Sequence, residues 1–171
     1  MNDVILIIPA YNEAGNLPQV IENIEAQDFP MDYVIVSDGS TDGTIALCEE
    51  KHYNYVALPT NLGLAGCFQT GMQYAARRGY RYAVQFDGDG QHRAEDIRAL
   101  YEKMQEGDYD IVLGGYVGSF LTPWLDTIRR LVAERNTFED DGSFVKLCTY
   151  QTGAAAYGAA MDVMEEFLRT V

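Results

Sequence analysis

From residue 4 to residue 113 short aliphatic runs alternate with segments of helical periodicity, and that alternation limits the folds open to the chain. Residues 4–8 read VILII, the kind of continuous apolar run found in strands covered on both faces. The pattern returns at Tyr33 to Val36, Tyr55 to Leu58, Tyr82 to Phe86 and Ile111 to Leu113. Between the runs, Leu17, Val20, Ile21 and Ile24 fall at i, i+3, i+4 and i+7, with Pro18 in a first turn that tolerates it. Leu64, Cys67, Phe68, Gly71 and Ala75 trace a second stripe, and Ile97, Leu100, Tyr101 and Met104 a third. Such alternation implies right-handed βαβ units and an α/β fold, a mostly parallel central sheet with helices on both faces.

In sheets of this kind ligands bind beyond the carboxyl ends of the strands. The segments that follow the runs are PAYNE at 9–13, SDGSTDGT at 37–44, PTNLGLAG at 59–66 and DGDGQH at 87–92, and the topology gathers them on one edge. Beyond Gly115 the pattern weakens. Trp124 to Val132 predicts an amphipathic helix, Phe144 to Cys148 a short strand, and Ala159 to Leu168 a last helix with Met161, Met164 and Leu168 on one face. Arg135 to Gly142, with Glu139, Asp140 and Asp141, reads as an exposed loop. At 171 residues and 47% hydrophobic content the chain suits one core and is short for two, so a single domain over 1–171 is expected.

The formal net charge of -14, 26 acidic against 12 basic residues, excludes partners held mainly by phosphate charge. Nucleic acid is therefore not expected, because its binding needs clustered Lys and Arg. The same acidity repels a small phosphorylated ligand unless a cation accompanies it. Cys48, Cys67 and Cys148 are odd in number and widely spaced, which indicates neither a disulfide framework nor a zinc site and suits reduced thiols in a cytoplasmic protein. The apolar start ends at Pro9 without the flanks of a signal peptide, and no run approaches the ~20 residues of a bilayer span. Contact with the inner face of a membrane stays open to such a chain.

Asp87 and Asp89 form a D-G-D-G turn at a strand end, where two ionised carboxylates need a positive neighbour or open solvent. Hard oxygen ligands of this type suit Mg2+ or Mn2+, whose shell water and phosphate complete; a solvated turn is the alternative. Asp38, also at a strand end, is placed to accept from a base N–H or from ribose hydroxyls. Ser40, Thr41 or Asp42 caps the helix that begins near Thr44. Tyr11 offers a flat face for a nucleobase or covers the sheet edge, while Asn12 and Glu13 cap the helix carrying Leu17. Asn61 and Gly63 precede a helix whose free N–H groups are suited to a donor phosphate, or serve as a plain cap. His92 follows the acidic turn as a metal-shell residue, a shield for a pyrophosphate, or a solvated loop histidine. His52 reads as structural.

The segments IIPAYNEAGNLPQVIENI, IVSDGSTDGT, NLGLAGCFQTGMQYA and VQFDGDGQHRAEDI, in that order between about residues 3 and 113, resemble the successive motifs of family 2 glycosyltransferases. The DGDGQH form and the long NLG helix are most similar to the branch of dolichyl- or polyprenyl-phosphate sugar transferases and cell-wall glycosyltransferases. The resemblance implies the nucleotide-diphospho-sugar transferase (GT-A) fold, with residues 1–115 as the nucleotide-sugar-binding half and 116–171 as a shortened acceptor side. It implies a metal-dependent, inverting transfer of a hexose-type sugar from a nucleotide diphosphate to a lipid-phosphate or glycan acceptor. By position it assigns Pro9, Ala10, Tyr11, Glu13, Asp38, Ser40, Asn61, Gly63, Asp87, Gly88 and Gln91 to the donor site, with Asp89 as principal metal ligand and Asp87 beside it.

The chain also departs from the pattern. Tyr116 stands where that branch places a diphosphate-gripping arginine, and YQTGAAAYG, with Thr152, Gly153 and Tyr157, lacks the Asp and Arg of a later motif. A base for a hydroxyl acceptor would come from FEDDG, with Asp140 chosen against the alternative of a solvated acidic loop. A phosphate acceptor, already ionised, needs none. A non-catalytic nucleotide-sugar-binding domain is the rival reading. A nucleotidyltransferase ranks last, because PAYNEAG has no Lys or Arg.

Overall fold

The computed structural model describes residues 2–107, 111–113, 122–133, 145–147 and 159–162. Strands β1 (Val4–Ala10), β2 (Met31–Ser37), β3 (Tyr55–Ala57) and β4 (Tyr82–Gln85) alternate with helices α1 (Leu17–Glu25), α2 (Thr44–Lys51) and α3 (Gly63–Arg78). Then follow α4 (Asp96–Gln105), β5 (Ile111–Leu113), a 3-10 turn (Thr122–Trp124), α5 (Leu125–Ala133), β6 (Val145–Leu147) and β7 (Ala159–Asp162). Among the described residues the strands form one sheet in the order β3-β2-β1-β4-β7-β5-β6. Strands β1 to β4 pair in parallel, with Ile7 opposite Val34 on one side and Gln85 on the other. The α/β reading is thus borne out.

Because β1 is covered on both faces, its alternate residues feed two cores. Val4, Leu6 and Ile8 meet Leu17, Ile21, Ile97 and Leu100 from α1 and α4, whereas Ile5 and Ile7 meet Cys67, Met72 and Ala75 from α3. This explains why VILII shows no polar alternation. A methyl group on Gly71 would lie 2.2 Å from Ile7 Cγ2, so the α3 backbone approaches β1 more closely than any side chain permits.

The periodicities place α1 and α4 correctly, with Leu17, Val20, Ile21, Ile24, Ile97, Leu100 and Met104 all buried. Leu64 departs from its stripe. It lies at the first turn of α3, beyond the sheet edge, and is 55% exposed. The expected strand near 144–148 is present as β6, and the helix expected at 124–132 is α5.

The helix expected from Ala159 is not formed at its start. Ala159–Asp162 is instead a strand, antiparallel to both neighbours, with Ala160 opposite Val84 of β4 and Val112 of β5. Ala and Met favour helix in isolation. Two flanking strands with unpaired ladder groups outweigh that preference, since each buried N–H and C=O needs a partner. Met164 and Leu168 lie outside the described residues, as does the loop expected at 135–142.

Candidate functional site

The loops after β1 and β2 are tied together by side chains. Asn12 adopts a left-handed backbone with φ 58°, and its Oδ1 accepts from the N–H of Thr41 at 2.8 Å and of Asp42 at 3.3 Å. Its own N–H donates to Ser40 Oγ at 3.1 Å. The next two amides, of Glu13 and Ala14, donate to Thr44 Oγ1 at 3.0 Å and Asp42 Oδ2 at 3.3 Å. Asn12 therefore does not cap α1 with its side chain, contrary to the sequence reading; it closes the neighbouring turn. At the start of α1 the Glu13 carbonyl accepts from Asn16 and Leu17, both at 3.0 Å. Asp42, just before the capping position Gly43 of α2, accepts from the Thr44 N–H at 2.9 Å. The Thr44 hydroxyl foremost, with the bonded amides, holds its carboxyl below the usual range.

Asp38 directly follows β2 and is 4% exposed. Its Oδ1 accepts from the Leu62 N–H at 2.6 Å and its Oδ2 from the Gly63 N–H at 2.9 Å. The start of α3, expected to offer these N–H groups to a ligand, thus offers them to a carboxylate of the chain itself, which the helix dipole favours. Asn61 lies just before the capping position Leu62, and its Oδ1 accepts from the Gly63 N–H at 3.2 Å. Gly39 makes the approach possible. Its φ is +66°, and a Cβ there would meet the backbone of Thr60 and Asn61 at 2.8 Å. Burial, then the neighbouring Asp38 carboxylate, pushes the Cys67 thiol up to about 12, so this thiol stays protonated.

The acidic turn follows β4, whose direction Phe86 extends by donating its N–H to the Ile7 carbonyl at 2.9 Å. A Cβ on Gly88 would stand 3.1 Å from the Pro9 carbonyl, which draws the turn against β1, and Gly90 turns the chain with φ +78°. Asp89 is exposed, and its Oδ1 accepts from the Gln91 N–H at 2.9 Å. Asp87 is half-buried, with Oδ1 3.1 Å from Gln85 Nε2 and Oδ2 3.4 Å from His92 Nε2. His92 is buried rather than solvated, packs edge-on against Phe86 at 5.3 Å, and accepts the Asp87 N–H on Nδ1 at 2.8 Å. Burial lowers its pKa against the opposing pull of Asp87 and Asp89.

These loops enclose an open cavity of about 210 Å3 lined by Pro9, Ala10, Tyr11, Glu13, Asp38, Leu64, Cys67, Asp87, Gly88 and Asp89. Eight of those ten are donor-site residues expected from the sequence; Ser40, Asn61, Gly63 and Gln91 stand outside the lining. Asp140, Tyr116, Thr152, Gly153 and Tyr157 lie outside the described residues. Leu64 and Cys67 were legible only as part of a core stripe, and nothing local to Gln85 marks it as a partner of Asp87. Tyr11 and Leu64 are 49% and 55% exposed, two large apolar groups on the rim of an acidic cavity. No cluster of three or more metal-ligating side chains occurs among the described residues. Asp87 and Asp89 form a hard, two-carboxylate set, which fits a cation that takes its other ligands from phosphate and water.

The parallel strands with an acidic cavity at their carboxyl ends agree with the nucleotide-diphospho-sugar transferase (GT-A) fold that the sequence resemblance implies. The model of Glycosyl transferase family 2 matches residues 5–162, and the chain belongs to that family. It is 33% identical over 147 residues to a polyprenol monophosphomannose synthase of Mycolicibacterium smegmatis, covering 78% of this chain and 53% of that protein. An undecaprenyl-phosphate mannosyltransferase of Micrococcus luteus is 29% identical over 135 residues, covering 76% of this chain and 55% of that protein. The chain thus spans about half the length of these relatives. Among solved structures, a mannosyltransferase from Pyrobaculum calidifontis in complex with GDP-Man and Mn2+ superposes with a TM-score of 0.64 at 23% identity, over 98% of this chain and 46% of that one. This last likeness bears on the fold.

Proposed function

We propose that the chain carries the donor site of a metal-dependent, inverting glycosyltransferase that moves a hexose-type sugar from a nucleoside diphosphate to a lipid-phosphate or glycan acceptor. One observation carries the reading: Asp38, Asp87, Asp89 and Tyr11, drawn from three separate loops, line one cavity. The names of the relatives, which include polyprenol- and undecaprenyl-phosphate enzymes, favour a polyprenyl phosphate over a glycan as acceptor. Such an acceptor implies work at a membrane surface, although no described helix is long and apolar enough to cross one.

The residues that line the cavity have roles consistent with their settings. Tyr11 stacks on the base, worth about 1–3 kcal/mol by analogy with other base-stacking sites. Asp38, immobilised by the α3 amides, presents a fixed acceptor toward base or ribose N–H and O–H groups. Glu13 and the Pro9–Ala10 backbone wall the nucleotide. Asp89 and Asp87 would hold Mg2+ or Mn2+, and the resemblance would set Gln91, which stands outside the cavity lining, near the diphosphate. When bound, the cation supplies positive charge that stabilises the departing nucleoside diphosphate as the anomeric carbon gains oxocarbenium character. For a hydroxyl acceptor the proton would go to Asp140, a choice that rests on the sequence FEDDG alone; a phosphate acceptor attacks as the anion.

Titration calorimetry with GDP and UDP, with and without Mn2+, tests the donor site. Binding that requires Mn2+ in the wild type and is lost in Asp89→Ala is expected. Metal-independent binding, unchanged in Asp89→Ala, would overturn the role of the acidic turn. Transfer from labelled GDP-mannose or UDP-sugars to polyprenyl phosphate in detergent is then measured. The substitution of Tyr116 for an arginine favours the rival, a binding domain without turnover, and donor binding with no transfer would establish it.

A further inference from the structure

We propose that His92 is the positioning residue of the acidic turn, a clamp that sets the direction of the Asp87 carboxylate and is not itself a ligand of the cation. The inference deepens the donor-site reading and rests on its assignment of Asp87.

The geometry carries it. A single imidazole meets Asp87 twice: Nδ1 accepts the Asp87 backbone N–H at 2.8 Å, and Nε2 lies 3.4 Å from the Asp87 Oδ2. Nδ1 is occupied by the Asp87 N–H, which leaves the proton of a neutral ring on Nε2, and Nε2 sits beside the Asp87 carboxylate in contact without a directed hydrogen bond. Gln85 Nε2 reaches the other oxygen, Oδ1, at 3.1 Å. The backbone N–H and Oδ1 of Asp87 are therefore hydrogen-bonded from the protein side and Oδ2 is packed against the His92 ring, while Asp87 still lines the cavity. The ring is itself fixed, with its side chain 1% exposed and Phe86 edge-on at 5.3 Å. Outer-shell groups that hold a metal-binding carboxylate in this way orient it for the metal.

Two variants separate the clamp from mere packing. His92→Phe keeps an aromatic ring against Phe86 and removes both nitrogens. His92→Asn keeps an acceptor near the Nδ1 position. Manganese affinity in the presence of GDP or UDP is read by calorimetry and electron paramagnetic resonance, alongside thermal unfolding of each variant. The Phe variant is expected to weaken Mn2+ binding by about 10- to 100-fold, with partial recovery in the Asn variant. Nitrogen-15 NMR of histidine-labelled wild type is expected to show the Nε2–H tautomer, unchanged when Mg2+ and nucleotide are added. Equal Mn2+ affinity in wild type and folded His92→Phe overturns the inference and leaves the donor site standing, as does a loss of the Nε2 proton on adding Mg2+. A wild type that binds no Mn2+ in any of these conditions overturns the donor-site reading first, and the role of the clamp with it.

Discussion

At the scale of single residues, the site depends on polar side chains that bind the protein before they meet any ligand. Asp38 illustrates this, since both of its oxygens accept backbone N–H groups from the start of α3. Its place at the end of β2 was readable from the apolar run before it, but the partners were not, because they lie 24 and 25 residues further along. Asn12 follows the same logic. A left-handed backbone favours Gly or Asn, and only Asn also closes the turn at 41–42. Asn12→Gly should therefore lose the side-chain bonds at a cost of about 1 kcal/mol, whereas Asn12→Ala should lose them and add about 1 kcal/mol or more of backbone strain. Urea unfolding of both variants checks the order, with Ala the less stable.

At the scale of elements, periodicity served well wherever one strand or helix buries a face of its own. It failed where an element is defined by its neighbours. The segment AAMD has no β-branched residue and no alternation, yet as β7 it completes the ladders of β4 and β5. Ala160, opposite Val84 and Val112, stands in the interior of the sheet, where a proline would remove an N–H from the ladder and the ring would disturb the pairing. Ala160→Pro should lower the denaturant midpoint and remove hydrogen-exchange protection from the amides of β4 and β5. Unchanged protection there would show that β7 does not hold these strands together.

At the scale of the whole molecule, three of the described buried or half-buried acids are pushed furthest against ionisation. Burial pushes the Tyr33 phenol up to about 12, helped by Glu25. Burial, then its bond to Asp32, does the same for Tyr80, and the Cys67 thiol also reaches about 12. A pKa raised in the folded state favours the neutral form there, so the associated stability is fully present below the unfolded values, about 8.5 for Cys and about 10 for Tyr. It is lost as pH rises from those values through about 12. Phenolate absorbance of the folded protein should lag that of the unfolded chain. Tyr80→Phe should flatten the loss of stability above about pH 10, the ordinary tyrosine pKa. What the sequence alone determined was the alternation of strand and helix, and through it the gathering of four polar loops on one edge, because burial of a face imposes a period on nearby residues. The acidic turn belongs to the same class. Only the tertiary structure decided that the α3 amides go to Asp38, that β7 enters the sheet as a strand, and that His92 turns inward to hold Asp87. Each of those outcomes satisfies hydrogen-bonding groups or fills space set by a distant segment or by the packed interior, and no local pattern records such a demand.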